Sequence, residues 1–583
     1  MNPGWSDPIL TCVEAKALEA RLFGGDEARE WAAMQAAGAA VARAVLDDFK
    51  EIGGFPAAGR ILVLAGKGHN GGDALLAART ILESQPAARA DVLFAFGERS
   101  LRPLAARAWR ELLGGTGLPT RVERITMGQP PSPGLRSPGE TYATAYDLCL
   151  DGIFGFQFHP PIEEETAAVL RRVNAHPSLR LRAAVDLPSG LGESERIEHP
   201  IFRADFTYAT GSVKAPLLAE GNGDAVGRLR YLDLGFFEGS VAGAADPGPG
   251  SPIPATPPSR ASALPAAPTD LVLKPAVLAQ LTALRAPHSD KRTYGHVFVV
   301  GGSRQYPGAV LMCIRAALHS GAGLVTGFVP ETLAPAFAAV APEAMWVGWP
   351  ETPDGSLALE GLGLLRARLE RAAAIVLGPG LGMERETQML AAEIVKLVDR
   401  PVVLDADALQ PAVLKAAAGK PVVCLPHAGE FKRLAGGREA EPATLRALAR
   451  ETGATVVLKG PVTRIAGGAA SVTRIDGARP ARWVSSDESP LERGGREAGV
   501  CIYHSFFGGP VLARGGSGDL LAGLVGGLLA QAPGDPLLAA CRGVVWHGLA
   551  ADLLARDRGQ VAVQVTQLLD YLPAALRTAV GRE

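Results

Sequence analysis

Gly515-Gly516-Ser517-Gly518-Asp519-Leu520-Leu521-Ala522-Gly523-Leu524-Val525 reads as an anion cradle that opens a helix and carries a carboxylate in its first turn. Glycines let successive backbone N–H groups converge on one anion, and the helix N-terminus adds partial positive charge. Asp519, beside that cradle, can take a proton from a hydroxyl. An isolated run of this kind is more often a Gly-rich turn capped by Ser517 and Asp519, so the rest of the chain has to decide.

Upstream, short apolar segments recur: His296-Val297-Phe298-Val299-Val300, Ala374-Ile375-Val376-Leu377, Pro401-Val402-Val403-Leu404, Pro421-Val422-Val423-Cys424-Leu425 and Thr455-Val456-Val457-Leu458. They are β-branched and separated by helical segments, which predicts a parallel sheet with helices on both faces. They run into Gly301-Gly302-Ser303, Gly378-Pro379-Gly380-Leu381-Gly382, Asp405-Ala406-Asp407, Pro426-His427-Ala428-Gly429-Glu430, and Lys459-Gly460 with Thr463 beyond. Ligands of open α/β sheets sit past the carboxyl ends of the strands, so these polar ends outline a cleft. In it the glycines admit a nucleotide or phosphate, Lys459 offers a cation, and Asp405, Asp407 or Glu430 can hold Mg2+ directly or through water. One at a time they read as turn glycines, a solvated lysine, capping aspartates and a core histidine; as a row they read as a site.

The first half of the chain repeats the alternation with strands at 60–65, 90–96 and 181–186. Leu62-Val63-Leu64 runs into Ala65-Gly66-Lys67-Gly68-His69-Asn70-Gly71-Gly72-Asp73-Ala74, and a helical stretch follows from Leu75. A strand, a Gly-rich turn and a helix suit a dinucleotide or its phosphates. Two later strand ends, Asp151-Gly152-Ile153-Phe154-Gly155 and Asp186-Leu187-Pro188-Ser189-Gly190, reinforce that reading. Residues 239–268 are dominated by Ala, Gly, Pro and Ser without hydrophobic periodicity, which marks a linker between domains at 1–238 and 269–583. Residues 476–507, rich in Arg, Glu, Ser and Gly, read as an insertion or loop.

The 583 residues exceed what one core serves, and 58 basic against 60 acidic residues with no basic run leave no footprint for nucleic acid. Small molecules are therefore the expected partners. Six scattered cysteines without CxxC spacing fit reduced core residues in a cytoplasmic protein. The N-terminus lacks the pattern of a secretory signal, and no stretch reads as apolar for long enough to cross a bilayer.

The C-terminal motifs, in this order over roughly residues 270 to 580, resemble the ribokinase-like family and within it the ADP- or ATP-dependent NAD(P)H-hydrate dehydratases. Further marks are Lys291-Arg292-Thr293-Tyr294-Gly295 before the first strand, Tyr306-Pro307-Gly308-Ala309 after it, and Ser320-Gly321-Ala322-Gly323-Leu324. The resemblance implies removal of water from NADH or NADPH hydrated at the nicotinamide ring, with ADP, the usual nucleotide of bacterial members, converting hydroxide into a phosphate leaving group. It implies Asp519 as base, and Lys459, Gly460, Pro461, Val462, Thr463, Gly516, Ser517 and Gly518 around the nucleotide with Mg2+. It places Ala309, Gly323, Gly380, Gly382 and His427 around the hydrated dinucleotide. Where the family carries an Asn-Pro-Gly type segment, this chain has Gly508-Gly509-Pro510-Val511-Leu512-Ala513-Arg514, leaving Arg514 either a phosphate contact or a solvated side chain.

Roughly residues 10 to 238 resemble the NAD(P)H-hydrate epimerase domain, which interconverts the R and S hydrates. That resemblance implies a Rossmann-like fold, so the fold class is two three-layer α/β/α domains, N-terminal Rossmann-like and C-terminal ribokinase-like. It implies K+ held by Asn70, Asp151 and Ser189. It implies substrate contacts from His69, Asn70, Gly71, Gly72 and Asp73, from Gly155, Phe156, Gln157, Phe158, His159, Pro160 and Pro161, and from Asp186 as acid/base. The chain departs from the family at His69 and Ala74, and has Gly155-Phe156-Gln157 in place of Gly-Thr-Gly. A homo-oligomer is the expected assembly. Two alternatives stay open: a ribokinase-like kinase for a small alcohol, and a first domain that binds without catalysing.

Overall fold

Runs such as Ile61-Leu62-Val63-Leu64 are apolar at every position, and both of their faces are buried. Ile61, Val63 and Ala65 pack in one core with the helices Glu27–Phe49, His69–Ser84 and Pro103–Gly114, whereas Leu62 and Leu64 pack in a second core with Leu170 and Val173 of the helix Glu164–Asn174. Period-two alternation inside a continuous apolar run is what a strand covered on both faces requires.

The structure is a computed structural model that describes residues 4–125, 146–193, 198–238, 270–467 and 500–581. The chain divides into two units: Asp7–Ala266 with Ala555–Gln560, and Met1–Ser6 with Ala267–Leu554 and Val561–Glu583. The proposed linker 239–268 and most of the segment 476–507 lie outside the described residues.

In the first unit β1 (Ser6–Leu10) pairs in parallel with the short β8 (Val213–Lys214). The main sheet is β2 (Arg60–Ala65), β3 (Arg89–Phe94), β4 (Val122–Ile125), β5 (Leu148–Gly152), β6 (Leu181–Val185), β7 (Phe206–Thr210) and β9 (Arg228–Leu232). Its order is β4-β3-β2-β5-β6-β7-β9, parallel throughout. The chain leaves β2 in one direction for β3 and β4 and in the other for β5, so a switch point lies between β2 and β5.

In the second unit the strands are β10 (Asp270–Leu273), β11 (His296–Val300), β12 (Leu324–Pro330), β13 (Met345–Trp349), β14 (Ala374–Leu377), β15 (Val402–Leu404), β16 (Val422–Cys424), β17 (Thr455–Leu458), β18 (Thr463–Ala466) and β19 (Ile502–Ser505). The order β13-β12-β11-β14-β15-β16-β17 is parallel, with the switch point between β11 and β14. β18 then returns antiparallel between β17 and β19. β19 corrects the reading of 476–507 as wholly irregular: its four residues complete a pairing that the sequence around them did not announce.

The helix Ser517–Gln531 is buried at every position from Leu520 to Ala530. Its glycines allow close approach: a Cβ at Gly523 would stand 2.0 Å from the Cys313 carbonyl oxygen, and one at Gly527 1.8 Å from Ser320 Oγ. The helix Pro307–His319 and the Ser320 that follows it thus lie almost backbone to backbone with the cradle helix. A second helix, Pro536–Arg558, is long and apolar enough by length and composition to cross a membrane, contrary to the expectation that no such stretch exists. Most of its apolar window is buried inside the fold, as in the core helices of globular proteins. All six cysteines are free.

Candidate functional site

The carboxyl ends of the second unit's strands meet at the start of the cradle helix. Gly516, the residue before it, has φ 92, and a Cβ there would stand 2.6 Å from Met312 Sδ, so only glycine fits. At Gly518 a Cβ would lie 3.2 Å from Lys459 Nζ and 3.9 Å from Asp405 Oδ2. Lys459 Nζ donates to Asp405 Oδ1 at 2.9 Å. Burial works against its charge, but Asp405 and then Glu430 more than offset this, so its pKa is raised. Asp519 moves the other way. Burial and the charge of Asp405 push its carboxyl up to about 7, with Lys459 opposing, which makes it a base poised at neutral pH.

Other strand ends complete this cleft. Gly382 N–H donates to Asp407 Oδ2 at 2.9 Å, and a Cβ at Gly380 would meet Ala309 Cβ at 3.0 Å, which puts Ala309 against the glycine loop. Gly460, Pro461 and Val462 form the turn between β17 and β18, and Thr463 opens β18. His427 caps the helix Ala428–Leu434: its Nδ1 accepts from Gly429 N–H at 3.0 Å, and Glu430 Oε2 accepts from His427 N–H at 2.8 Å. That leaves Nε2 as the protonated nitrogen, 3.4 Å from Glu430 Oε1.

Two expectations change here. Gly323 lies at the amino end of β12, where a Cβ would strike the Lys291 carbonyl oxygen at 1.7 Å, so it is not brought to the carboxyl-end cluster. Arg514 binds the carbonyl oxygens of Val561 and Val563 at 2.8 and 3.0 Å, which is a loop-holding role. Asp405, Asp407 and Glu430 each accept a donor from the protein, and among the described residues no group of three His, Cys, Asp or Glu could hold a metal ion. Their remaining lone pairs suit water-mediated contact with a nucleotide-bound Mg2+.

In the first unit the sequence placed a turn at 69–74, but the helix already begins at His69. Gly71 serves close approach there, since a Cβ would lie 2.2 Å from the Gly66 carbonyl oxygen; Gly72 is tight against Met34 Sδ, at 2.6 Å. Asn70 Nδ2 donates to the Phe154 carbonyl at 2.7 Å, and Phe154 N–H donates to Ser189 Oγ at 2.9 Å. Ser189 in turn donates to Asp151 from Oγ at 2.6 Å and from N–H at 2.7 Å. One chain of hydrogen bonds thus joins Asn70, Ser189 and Asp151. Burial pushes Asp151 up to about 6, and the buried Asn70 Oδ1 has no partner. An orphaned amide oxygen, a buried carboxyl and a hydroxyl, linked through Phe154, are oxygen donors of the kind that suit a monovalent cation.

Asp186 follows β6 with φ 65, in the left-handed region, and accepts from the Lys214 ammonium and from Thr210 Oγ1 at 3.3 Å. Burial, then the charges of Asp186 and Glu19, raise Asp73 well above the usual carboxylate range. Phe156, Gln157, Phe158, His159 and Pro160 line a pocket of about 440 Å3 with Cys12 and Lys16. Gly155 lies beside Asn70, His69 faces Glu30 at 3.8 Å, and Pro161 follows a cis peptide bond outside the lining. Sequence reasoning gave no role to Lys214, which opens a segment marking the epimerase resemblance, or to Glu19. Their signals were a lysine amid Val213 and Ala215, and a charge at a helix position where Ala15, Leu18 and Leu22 form the apolar stripe.

Two family models match the chain. Residues 297–483 and 500–574 match the family described as NAD(P)H-hydrate dehydratase, and residues 31–215 match the YjeF-related protein N-terminus. The bifunctional NAD(P)H-hydrate repair enzyme Nnr of Gloeobacter violaceus is 33% identical over 97% of this chain and 97% of its own. That of Moorella thermoacetica is 32% identical over 89% of this chain and 87% of its own. A solved ADP/ATP-dependent NAD(P)H-hydrate dehydratase from Bacillus subtilis, co-crystallized with ATP/Mg2+, shares 26% identity over 52% of this chain and 96% of its own, with a TM-score of 0.41. With a relative this similar along nearly the whole length of both chains, the chain belongs to the family of bifunctional NAD(P)H-hydrate repair enzymes.

Proposed function

We propose that residues 269–583 dehydrate the S form of hydrated NADH or NADPH at the expense of ADP, and that residues 1–238 interconvert the R and S forms so that both are consumed. The observation that carries the first half is Asp519: a carboxyl held near pKa 7 at the start of a glycine-opened helix, with Lys459 against the same turn. Asp519 takes the proton from the substrate hydroxyl, whose oxygen attacks the terminal phosphorus of ADP and expels AMP. The ring nitrogen then drives out phosphate, and loss of the neighbouring ring proton restores the double bond. The helix N–H groups at Gly516, Ser517 and Gly518 and the Lys459 ammonium stabilise the transferring phosphoryl group. Mg2+ bound with the nucleotide would offset phosphate charge there, with Asp405, Asp407 or Glu430 reaching it through water.

In the first unit Asp186, paired with Lys214, is the group that accepts or returns a proton at the carbinolamine. Asn70 Oδ1, Asp151 and Ser189 would hold K+, which supplies positive charge beside the buried Asp151. We also infer a cytoplasmic homo-oligomer acting on small molecules, with neither nucleic acid nor membrane as a partner.

The test is an R/S mixture of hydrated NADH with Mg2+, K+ and ADP or ATP, followed by NADH absorbance. Full conversion by the native chain, loss in Asp519→Ala, and R consumption at the spontaneous rate in Asp186→Ala support both assignments. Absence of nucleotide-dependent NADH recovery overturns the dehydratase reading and leaves a small-alcohol kinase.

A further inference from the structure

Lys214 is 1% exposed, and an ammonium buried that deeply must place three N–H bonds. Asp186 Oδ1 takes one, and the Thr210 carbonyl oxygen takes another at 3.1 Å. The third direction has an aromatic partner: Nζ lies over the ring of Phe156, 5.2 Å from its centroid, inside cation–π range. The same ring packs on the cluster of Leu10, Ala15, Leu18 and Phe236 and forms part of the wall of the 440 Å3 pocket.

We propose that Phe156 is a positioning residue of the N-terminal site, its ring, one face of the pocket wall, holding the Lys214 ammonium so that Lys214 stays paired with Asp186. The proposal rests on the epimerase reading given above. Other groups compete for this ammonium. Glu19 and Asp73, from the helices Cys12–Phe23 and His69–Ser84, both feel its charge, and Cys12 faces it from the same first helix. With two further carboxylates drawing on one lysine, the position of the ammonium decides whether it stays bonded to Asp186. A ring at 156 removes the freedom to swing, and it does so without adding a fourth oxygen. The replacement of a small residue by Phe156, which on sequence alone looked like a departure from the family's ligand loop, thereby acquires a physical role.

The experiment uses the full chain with Phe156→Leu, Phe156→Tyr, Lys214→Gln and the Leu/Gln double variant. Acetylation of Lys214 by an N-hydroxysuccinimide ester, mapped by mass spectrometry, is read beside kcat and KM for R-hydrate consumption and beside S-hydrate dehydration as an internal control. Loss of the ring's π face is expected to raise labelling about tenfold and lower kcat about tenfold in Phe156→Leu, whereas Phe156→Tyr stays within about twofold of the parent. In the Lys214→Gln background Phe156→Leu is expected to add nothing. Phe156→Met replaces the leucine variant if the latter unfolds. Equal behaviour of Leu and Tyr, or a rise in KM alone that persists without Lys214, overturns the proposal. A native chain inactive on the R hydrate removes the epimerase reading, while the labelling contrast still decides the contact.

Discussion

Replacing Asp519 by Asn removes the proposed base and at the same time reports on its surroundings. Burial, then Asp405, hold this carboxyl at about 7 in the folded chain, against about 3.9 when exposed. The folded state therefore prefers the neutral form. Below the unfolded value both states are protonated and the site costs nothing. Between about 4 and 7 the unfolded chain ionises first and stability falls, and above 7 the full cost is present. A shift of about three units at about 1.36 kcal/mol each sets a ceiling of ~4 kcal/mol. Contact of the carboxyl with water lowers this to about 1–2 kcal/mol. An amide never ionises, so Asp519→Asn should be more stable than the parent by that amount at pH 8, with the gain shrinking steadily toward pH 5. The unfolding midpoint at pH 8 should rise by about 2–6 °C, and dehydration should fall by a factor of about 100 or more. Differential scanning calorimetry of the ligand-free pair at pH 5, 6, 7 and 8, with activity on the same samples, provides the check. A gain that is flat with pH, or a less stable Asn variant at pH 8, would refute the reasoning.

Lys459→Met should leave Asp405 without its cation and raise Asp519 further, moving the acid limb of the dehydratase pH profile above 7 and weakening ADP binding at least about tenfold, as titration calorimetry would show. Gly527→Ala, whose Cβ would lie 1.8 Å from Ser320 Oγ, should destabilise by about 1–3 kcal/mol in urea unfolding. Asp48 is buried beneath Arg230, whose Nη2 and Nε donate to it at 2.9 and 3.1 Å. Burial works to raise its pKa, and Arg230 leads the charges that lower it overall. Asp48→Ala should destabilise the unfolding transition of the N-terminal unit by about 3–5 kcal/mol near neutral pH, and by less as acid protonates the parent's Asp48.

The strands that carry both sites were legible because each is short, apolar on both faces and punctuated by a polar end. His296–Val300, Ala374–Leu377 and Thr455–Leu458 fall where the alternation put them. β18 and β19 were not legible, because antiparallel pairing of four-residue segments depends on neighbours distant in sequence. The helix start at His69 was hidden for a different reason. Gly71 and Gly72 look like turn formers, and only the backbone of Gly66 pressing on the helix shows that they are there for lack of a side chain. Lys459 and Asp519 could be read as candidates, but that Asp405 joins them through a direct bond to the lysine is tertiary information. Lys214 was visible as part of a motif but without a role, because a single lysine in a short apolar strand resembles any edge residue until its burial is known.

Asp186 sits at φ 65, a backbone setting that most side chains avoid and that Asn tolerates best after glycine. An Asn there keeps an oxygen for Lys214 and relieves the backbone, while it can no longer carry a proton to and fro. Asp186→Asn therefore separates shape from charge: the backbone setting is kept, the buried Lys214 ammonium loses its carboxylate at a cost in stability, and the R hydrate should bind without being converted.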